Sequence, residues 1–507
     1  MIDFTPIVRP YFARRVRASK RWIAEGEQEQ RRQLAWLVGA ARKTLWGERF
    51  GYSGIRRYED FALRVPVTPY ESLRPYVERM IAGERDILWP GKTLNFAQSS
   101  GTSDGKSKYI PITADSFRRC HYQGGSDVVA HYLNLYPDSR MFSGKGFILG
   151  GSYANELDLR GGVRVGDLSA NLIDNINPVV NMVRVPSKRV ALMEDWLRKL
   201  PALVDASVGE NITNISGVPS WFLTVIREVL KRTGTSCIHD VWPNLEVFFH
   251  GGISFAPYRE QYRAITDTSR MRYLETYNAS EGFFAVQNAI DDPGMLMLLD
   301  AGVFYEFMPL DELGSETPEL LPIWSVEPGK IYALVITACN GLWRYPLGDT
   351  VKIESVDPVK VTIAGRTKHY INAFGEELMV HNADAALEKA CKEMGCSVSN
   401  YTAAPVYAEN GNRGRHEWLI EFSCHPQDVD AFAERLDGLL QQENSDYQAK
   451  RYKGIFLDRL SIVVARQGVF DDWLGRTGKL GGQRKVPRLS NDRRFIDPLL
   501  ELNKNKQ

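Results

Sequence analysis

A chain of 507 residues is long enough for two to four domains at about 150 residues each. Hydrophobic residues make up 44% and charged residues 25%, a balance typical of a globular protein with a sizeable core, so the bulk of the chain is not disordered. Lys plus Arg (63) nearly equals Asp plus Glu (62), which argues against a protein that binds nucleic acid or a membrane surface through its charge.

Three further features narrow the class of protein. The longest apolar stretch, Met295 to Leu310, is interrupted by Asp300 and Glu306, so we expect no transmembrane helix. The N-terminus lacks the basic region and apolar run of a signal peptide. Six sparse cysteines without a Cys-x-x-Cys pair favour free thiols in a reducing cytoplasm over disulfides or a structural zinc site.

The pattern changes along the first 360 residues. The first hundred residues favour helices, with Arg, Glu and Leu mixed from Arg14 to Leu45. From about Leu94, short apolar runs that end near glycine alternate with helical segments such as 190–200 and 219–230. The runs are TLNFAQ before Ser99, KGFILGG at 145–151, LEVFFHGG at 245–252 and KIYALVITA at 330–338. This alternation predicts an α/β architecture.

A different pattern begins near Gly365. The spacing predicts a helix at about 382–394, strands around 401–408 and 417–424, and a strand at 459–465. Between them, apolar residues at spacings of three and four from Val429 to Leu440 predict an amphipathic helix. We therefore predict a large domain, residues 1–367, and a small α+β domain, residues 368–507, with the boundary near Lys368.

The segment SSGTSDGKSKYIP, from Ser99 to Pro111, is rich in groups that suit a phosphate chain. It offers main-chain amides, hydroxyl donors and the cation of Lys106. A Walker A loop is excluded, because Gly101 and Gly105 enclose three residues instead of four and KYIPIT predicts a strand where that motif needs a helix. The segment is therefore either a ligand loop between two strands or a plain surface loop.

The segment TYNASEG, residues 276–282, follows a predicted strand and carries three useful side chains. Tyr277 offers an aromatic face for a base, Ser280 a hydroxyl, and Glu281 a hard oxygen ligand for magnesium. The alternative is a strand end with an exposed glutamate. No pair of the eight histidines has metal-ligand spacing, which argues against a transition-metal enzyme.

Four other positions are also candidates for ligand contacts. HGGISF at 250–255 predicts a tight turn that brings main chain, at Gly252, close to a planar ligand. Asp349, in WRYPLGDTV, follows a predicted turn and can accept hydrogen bonds from ribose hydroxyls. Arg366 ends the last strand before the boundary, and Lys485 lies in the basic segment GGQRKVPRL. A solvated run of charges is the alternative for that segment.

In this order the motifs resemble the adenylate-forming superfamily, which includes acyl-CoA synthetases and firefly luciferase. Within it, VPVTPYESLRPYVERMIAGE from Val65, followed by SSGTSDGKSKYIP and the late QRKVPR, resembles the auxin-responsive acyl-acid amido synthetase family. The resemblance runs from about residue 60 to 490. Two segments depart from the family pattern. YPLGD places Pro346 where the family often has arginine, and YNASEG differs just before Ser-Glu from the sequence common in the plant members.

The resemblance implies an α/β fold with two parts. A large N-terminal adenylate-forming domain, of β-sheets with packed helices and a small β-barrel, would precede a smaller, mobile α+β C-terminal domain. It also implies activation of a carboxylic acid by ATP and Mg²⁺ to an acyl-adenylate, followed by transfer of the acyl group to an amino-acid amine. The alternatives are a thioester-forming acyl-CoA ligase on the same scaffold and a nucleotide-binding module without catalysis.

The resemblance also assigns roles residue by residue. Lys485 would be catalytic, Glu281 would bind the metal ion and Lys368 would be the hinge. The residues that would bind ATP are Ser99, Ser100, Gly101, Thr102, Ser103, Lys106, Gly252, Tyr277, Ser280, Asp349 and Arg366.

Overall fold

The computed structural model describes residues 3–99, 108–153, 155, 157, 159, 161–253, 255, 258–367, 370–376, 378–407, 413–452, 456–476 and 486–504. These residues form two compact units. The first contains the described residues up to Thr367 and the second those from Tyr370 onwards. Lys368 lies outside the described residues, so its place as a hinge stays a prediction.

The first unit opens with helices, as the sequence predicts. They are α1 (Thr5–Ala24), α2 (Gly26–Ala41), α3 (Leu45–Arg49), α4 (Tyr58–Arg64) and α5 (Tyr70–Ile81). The apolar positions of α2 share one face, where Leu34, Leu37, Val38 and Ala41 are buried in the main core. No helix within the described ranges combines enough length and apolarity to cross a membrane.

Strands then alternate with helices. The strands of the first unit are β1 (Asn95–Ser99), β2 (Lys108–Ile112), β3 (Lys145–Ile148), β4 (Arg164–Gly166), β5 (Arg184–Val185), β6 (Ile212–Gly217), β7 (Val247–Gly251), β8 (Arg272–Ala279), β9 (Gly282–Gln287), β10 (Met295–Met297), β11 (Val303–Pro309), β12 (Leu321–Pro322), β13 (Ile331–Ala338), β14 (Leu342–Val356) and β15 (Val359–Arg366). The helices among them are α6 (Tyr122–Leu135), α7 (Leu168–Asp174), α8 (Pro178–Met182), α9 (Lys188–Ala191), α10 (Trp196–Ser207), α11 (Pro219–Thr233) and α12 (Arg259–Arg263).

The apolar runs predicted as strands are confirmed as β1, β3, β7 and β13, and the helix predicted at 219–230 is confirmed as α11. The single helix predicted at 190–200 is wrong, because the chain breaks between α9 and α10. Asp195 causes the break: its carboxylate accepts a hydrogen bond from the amide of Leu197 at 2.9 Å and starts α10 as a new helix.

The strands form one small and one large sheet. The small sheet has the order β2-β1-β4, and the large one β12-β11-β13-β14-β15-β10-β9-β8-β7-β6-β3-β5. From β8 to β5 the neighbours run parallel, and from β12 to β8 they run antiparallel. This mixed sheet with packed helices confirms the predicted α/β fold.

The large sheet curls strongly. In the strand order β14 lies four places from β8, which in a flat sheet with strands about 4.8 Å apart means a separation of about 19 Å. The Tyr277 hydroxyl of β8 nevertheless donates a hydrogen bond to the Asp349 carboxylate of β14 at 2.8 Å. The strand pairings close no ring among the described residues, so the expected small β-barrel is an open, curled sheet that returns β14 over β8.

A buried ion pair fixes β14 to the helical segment. Arg344, with a left-handed φ of +43°, donates to both carboxylate oxygens of Glu306 on β11 at 2.9–3.1 Å. The pair is almost fully buried, with 7% and 0% of the two side chains exposed. The same guanidinium donates to the carbonyls of Ala62 and Val65, and the amide of Thr68 donates to the Arg344 carbonyl. The family-like segment from Val65 is therefore tied to the strand that carries Asp349.

The second unit is a small α+β fold with its own core. Its elements are β16 (Tyr370–Ile371), β17 (Leu378–Met379), α13 (Val380–Met394), β18 (Ser397–Val406), β19 (Arg415–Cys424), α14 (Val429–Glu443), α15 (Ser445–Arg451), β20 (Ser461–Val464), α16 (Val469–Arg476) and α17 (Ile496–Lys504). The strands β18, β19 and β20 are neighbours in that order. The predicted amphipathic helix is confirmed as α14, which buries Phe432, Leu436, Leu439 and Leu440.

Candidate active site

The parallel strands β6, β7 and β8 end side by side at one edge of the large sheet. Gly217 pairs with His250, and Gly251 pairs with Thr276. A Cβ on Gly251 would lie 2.5 Å from the Thr276 carbonyl oxygen, so only glycine allows the two main chains to meet there. Gly252 then turns the chain with a φ of +84°, which favours glycine. The carboxyl edge of parallel strands is where α/β sheets bind their ligands.

Ser280 and Glu281 form the two-residue turn at this edge, because Ala279 of β8 pairs with Gly282 of β9. Ser280 is half-buried, and Glu281 is only 7% exposed. Asn340, between β13 and β14, donates its side-chain amide to the main-chain carbonyl of Glu281 at 3.0 Å. The β8–β9 turn is therefore stabilised by a residue from the connection between β13 and β14, which lies outside the β8–β9 hairpin.

Tyr345 of β14 connects Glu281 to a cation. Its hydroxyl donates to Oε1 of Glu281 at 3.4 Å and accepts a hydrogen bond from Nζ of Lys108 at 3.2 Å. The same ammonium lies 5.7 Å from the ring centroid of Tyr345 and 5.9 Å from that of Tyr70, a distance at which cations are attracted to aromatic rings. Complete burial, and next the charge of Glu281, raise the pKa of Tyr345 well above its usual value, so this hydroxyl remains a donor.

Lys108 also marks one end of the predicted phosphate loop. It begins β2 and pairs with Ser99, the last residue of β1. The strand predicted after the loop is therefore confirmed, and with it the exclusion of a Walker A helix. The residues that flank the loop, Ser99 of β1 and Lys108 of β2, are therefore paired with each other, and Lys108 contacts Tyr345. The predicted ligands that lie outside the described residues are Ser100, Gly101, Thr102, Ser103 and Lys106.

Asp349 lies within reach of the same edge. It is 7% exposed and accepts the hydrogen bond from Tyr277. The prediction that it follows a turn is wrong, because it lies inside β14. The φ of +94° at Gly348 is absorbed within the strand as a local irregularity, so this glycine marks a bend in a strand instead of its end. The main chain of Arg366 pairs with Asp349; its side chain lies outside the described part.

A buried lysine binds the segment that comes directly after β3. Nζ of Lys199 on α10 donates to the carbonyl of Gly150 at 2.6 Å and to that of Gly151 at 3.3 Å. Burial lowers the pKa of Lys199 to about 8. The glycine segment after β3 is therefore held by a lysine that was not among the predicted site residues.

The donor set around the turn suits one kind of metal ion. No group of three or more His, Cys, Asp or Glu is arranged to hold a metal in the described part of the chain. Mg²⁺ needs no such cage, because it is commonly bound by one or two carboxylates and takes its other ligands from water and substrate phosphates. The buried carboxylate of Glu281 fits that pattern.

The structure thus brings together all the predicted site residues that it describes: Ser99, Gly252, Tyr277, Ser280, Glu281, Asp349 and the main chain of Arg366. Lys485 lies outside the described residues. Lys108, Tyr345 and Asn340 were not predicted. Lys108 is the second lysine of the loop segment and Tyr345 stands four residues before Asp349, but only the folded structure shows that Tyr345 contacts Glu281 and that Lys108 contacts Tyr345.

Comparison with known sequences gives the family. The GH3 family N-terminal domain matches residues 18–271, its central domain residues 296–366 and its C-terminal domain residues 381–494. The chain therefore belongs to the GH3 family.

The curated relatives that match over nearly their whole length are amido synthetases. The chain is 22% identical to indole-3-acetic acid-amido synthetase GH3.3 of Arabidopsis thaliana, over 93% of this chain and 90% of the relative. It is 23% identical to jasmonoyl–L-amino acid synthetase GH3.5 of Oryza sativa subsp. japonica, over 88% and 89% of the two chains.

Solved structures show the same fold. AtGH3.15 acyl acid amido synthetase in complex with 2,4-DB superimposes with a TM-score of 0.60 at 17% identity, over 94% of this chain and 93% of that one. A 2-hydroxyisobutyryl-CoA ligase gives a TM-score of 0.53 at 14% identity, over 94% and 92% of the two chains. The resemblance to the amido synthetase family is thus confirmed, the fold is shared with the CoA ligase, and the chain is a ligase of the acyl-acid amido synthetase class.

Proposed function

We propose that this chain uses ATP and Mg²⁺ to convert a carboxylic acid to an acyl-adenylate, releasing pyrophosphate, and then transfers the acyl group to an amino-acid amine with release of AMP. The observation that supports this most directly is the meeting of Glu281, Tyr345 and Lys108 beside the Tyr277–Asp349 pair, at the carboxyl edge of the sheet. At that edge the Tyr277–Asp349 pair suits a nucleoside, and the group of Glu281, Tyr345 and Lys108 suits its phosphates.

Each part of ATP has a matching group. The carboxylate of Asp349 would accept hydrogen bonds from the ribose hydroxyls, with Arg366 assisting, and the ring of Tyr277 with the main chain at Gly252 would border the adenine. Ser280 would bind the α-phosphate. The loop from Ser99, with Ser100, Gly101, Thr102, Ser103 and Lys106, would surround the remaining phosphates with amides and hydroxyls.

The first step brings two anions together, because a carboxylate oxygen attacks the α-phosphorus while pyrophosphate leaves. Mg²⁺ held by Glu281 would supply charge neutralisation on the phosphates. The loop amides, Lys108 and Lys485 would add preorganised positive charge at the reacting centre. No nucleophilic serine or cysteine is needed, because the reaction proceeds without a covalent bond to the protein.

The small domain is needed for the first step. In this proposal, rotation about Lys368 carries Lys485 toward the reacting carboxylate and α-phosphate. In the second step the amine of an amino acid attacks the mixed anhydride and AMP leaves. A cytoplasmic location is part of the proposal, supported by the fact that all six cysteines are free.

ATP–pyrophosphate exchange with a panel of carboxylic acids tests the first step. Indole-3-acetic acid heads the panel, because relatives of this chain are indole-3-acetic acid-amido synthetases. We expect at least one acid to support exchange, and amino acids to convert that acid to an amide. ATP binding without exchange for any acid would indicate a nucleotide-binding module, and a thioester formed with coenzyme A in place of an amide would indicate an acyl-CoA ligase.

Asp349→Ala is expected to raise the KM for ATP by about 10- to 100-fold and that for the acid far less, because each charge-assisted bond to a ribose hydroxyl contributes about 1.5–3 kcal/mol. Steady-state kinetics with each substrate varied in turn measures both values. Tyr277→Phe is the matched control, since it removes the partner hydroxyl and keeps the carboxylate. Equal rises in both KM values with a loss of thermal stability would make Asp349 a structural residue.

Lys485→Ala is expected to bind ATP nearly as the wild type does and to lose adenylation by about 10²-fold, the scale of removing one group that stabilises the transition state. The neighbouring Arg484→Ala provides the control and is expected to be much milder. Calorimetric ATP binding and pyrophosphate exchange separate the two effects. Equal losses for both variants would indicate a general basic patch instead of a positioned lysine.

A further inference from the structure

The carboxylate of Glu281 does not act alone at the turn. The hydroxyl of Tyr345 lies between it and the ammonium of Lys108, donating to the first and accepting from the second. The three side chains come from three separate elements: the β8–β9 turn, β14 and the start of β2. One hydroxyl thus joins the proposed metal ligand to the end of the proposed phosphate loop.

The surroundings make this hydroxyl costly to leave unpaired. Tyr345 is completely buried, and an unsatisfied buried polar group is strongly unfavourable. Both partners that the structure gives it are charged groups at the proposed site, whereas the equally buried Tyr305 donates to the main-chain carbonyls of Leu298 and Phe284 in the core. The hydroxyl of Tyr345 is therefore directed at the site, and that of Tyr305 is not.

The bond from Tyr345 to Glu281 is a long one. It measures 3.4 Å, whereas 2.5–3.0 Å is usual between two oxygens. The hydroxyl therefore orients the carboxylate without holding it rigidly.

We propose that Tyr345 is a positioning residue, whose hydroxyl orients the Glu281 carboxylate for the metal ion and couples it to Lys108. This inference rests on the proposed function, because it takes Glu281 as the metal ligand. Lys108 polarises the hydroxyl and strengthens its bond to the carboxylate, since linked hydrogen bonds reinforce one another. Arrival of phosphate at Lys108 and of metal at Glu281 would then be coupled through one side chain.

Tyr345→Phe tests the inference, since it deletes only the hydroxyl. We expect the Mg²⁺ concentration for half-maximal pyrophosphate exchange to rise about 5- to 10-fold, while kcat at saturating Mg²⁺ falls less than about 3-fold. Calorimetry supplies a readout without turnover. The ratio of ATP affinities measured with Mg²⁺ and with EDTA is expected to fall about 5-fold in the variant.

Tyr305→Phe is the matched control, because it removes the hydroxyl of an equally buried tyrosine outside the site. It is expected to leave the Mg²⁺ dependence and the affinity ratio unchanged, whatever it does to thermal stability. If Tyr345→Phe behaves in the same way, its hydroxyl is only structural and the inference is overturned.

A double variant tests whether Tyr345 acts through Glu281. If Tyr345 acts through Glu281, Tyr345→Phe is expected to add no further loss of the affinity ratio in a Glu281→Gln background. Additive losses would overturn the coupling. A wild-type protein that binds ATP equally well with and without Mg²⁺ and exchanges pyrophosphate with no acid would instead contradict the proposed function itself.

Discussion

Replacing Glu281 with glutamine is expected to lower ATP–pyrophosphate exchange by about 10²- to 10³-fold, the scale of losing one preorganised electrostatic group. The amide has nearly the same shape as the carboxylate and can still accept from Tyr345, so the fold is expected to survive. A neutral amide is a poor ligand for a hard cation. Exchange measured over a range of Mg²⁺ concentrations should show that high Mg²⁺ restores only part of the lost rate.

Glu275→Gln is the matched control for this prediction. Glu275 lies in β8, six residues before Glu281, and burial raises the pKa of its carboxyl group. Both changes replace a carboxylate by its amide, but Glu275 lies inside β8, away from the turn. We expect it to alter exchange by less than about 2-fold. Normal exchange with an unchanged Mg²⁺ dependence for Glu281→Gln would remove Glu281 from the site.

Glu306→Gln is expected to lower the free energy of unfolding by about 3–5 kcal/mol, because it leaves the Arg344 guanidinium buried without a compensating charge. Burial raises the pKa of Glu306, and the charge of Arg344 opposes that rise. The loss should show in urea denaturation followed by tryptophan fluorescence. Activity should fall with it, since Arg344 holds Ala62 and Val65 beside the strand of Tyr345 and Asp349.

Glu327→Gln is the matched control for Glu306→Gln. It removes one charge from the exposed ion pair of Glu327 and Lys330, in which the side chain of Glu327 is 61% exposed and that of Lys330 is 57% exposed. Such surface pairs contribute at most about 1 kcal/mol, so this variant should unfold almost as the wild type does. If Glu306→Gln lost no more stability than Glu327→Gln, the buried pair would not anchor the helical segment.

The elements that local sequence determines were predictable. Apolar runs that end near glycine predicted β3 and β7, because a parallel strand stops where the chain must turn away from the sheet. Apolar residues at helical spacing from Val429 to Leu440 predicted α14, and this signal is also local in sequence. The break at Asp195 was missed because apolar residues on both sides of it fit a single helical stripe, and the capping bond outweighs that pattern.

The assembly of the site was less predictable. Tyr277 and Asp349 are 72 residues apart. The chemistry of each side chain suggested a nucleotide-binding role and the motif resemblance assigned it, but the spacing did not predict that the two are in contact. Their direct contact depends on the curl of the sheet, which no single strand encodes. Lys108 and Tyr345 were not predicted for a related reason. Lys108 begins a strand of the small sheet and Tyr345 lies in a strand of the large one, so their contact depends on how the two sheets pack and not on either strand alone.

The β8–β9 turn has no spare residue. Ser280 and Glu281 are its whole length, and Ala279 and Gly282 on either side are already paired. One inserted amino acid would shift the register of one arm and exchange the faces of its side chains, moving the carboxylate off Tyr345. Length variants of this protein should therefore be viable at surface connections and inactive here. Chimeras that exchange segments with other members of the family must keep their crossovers outside this hairpin.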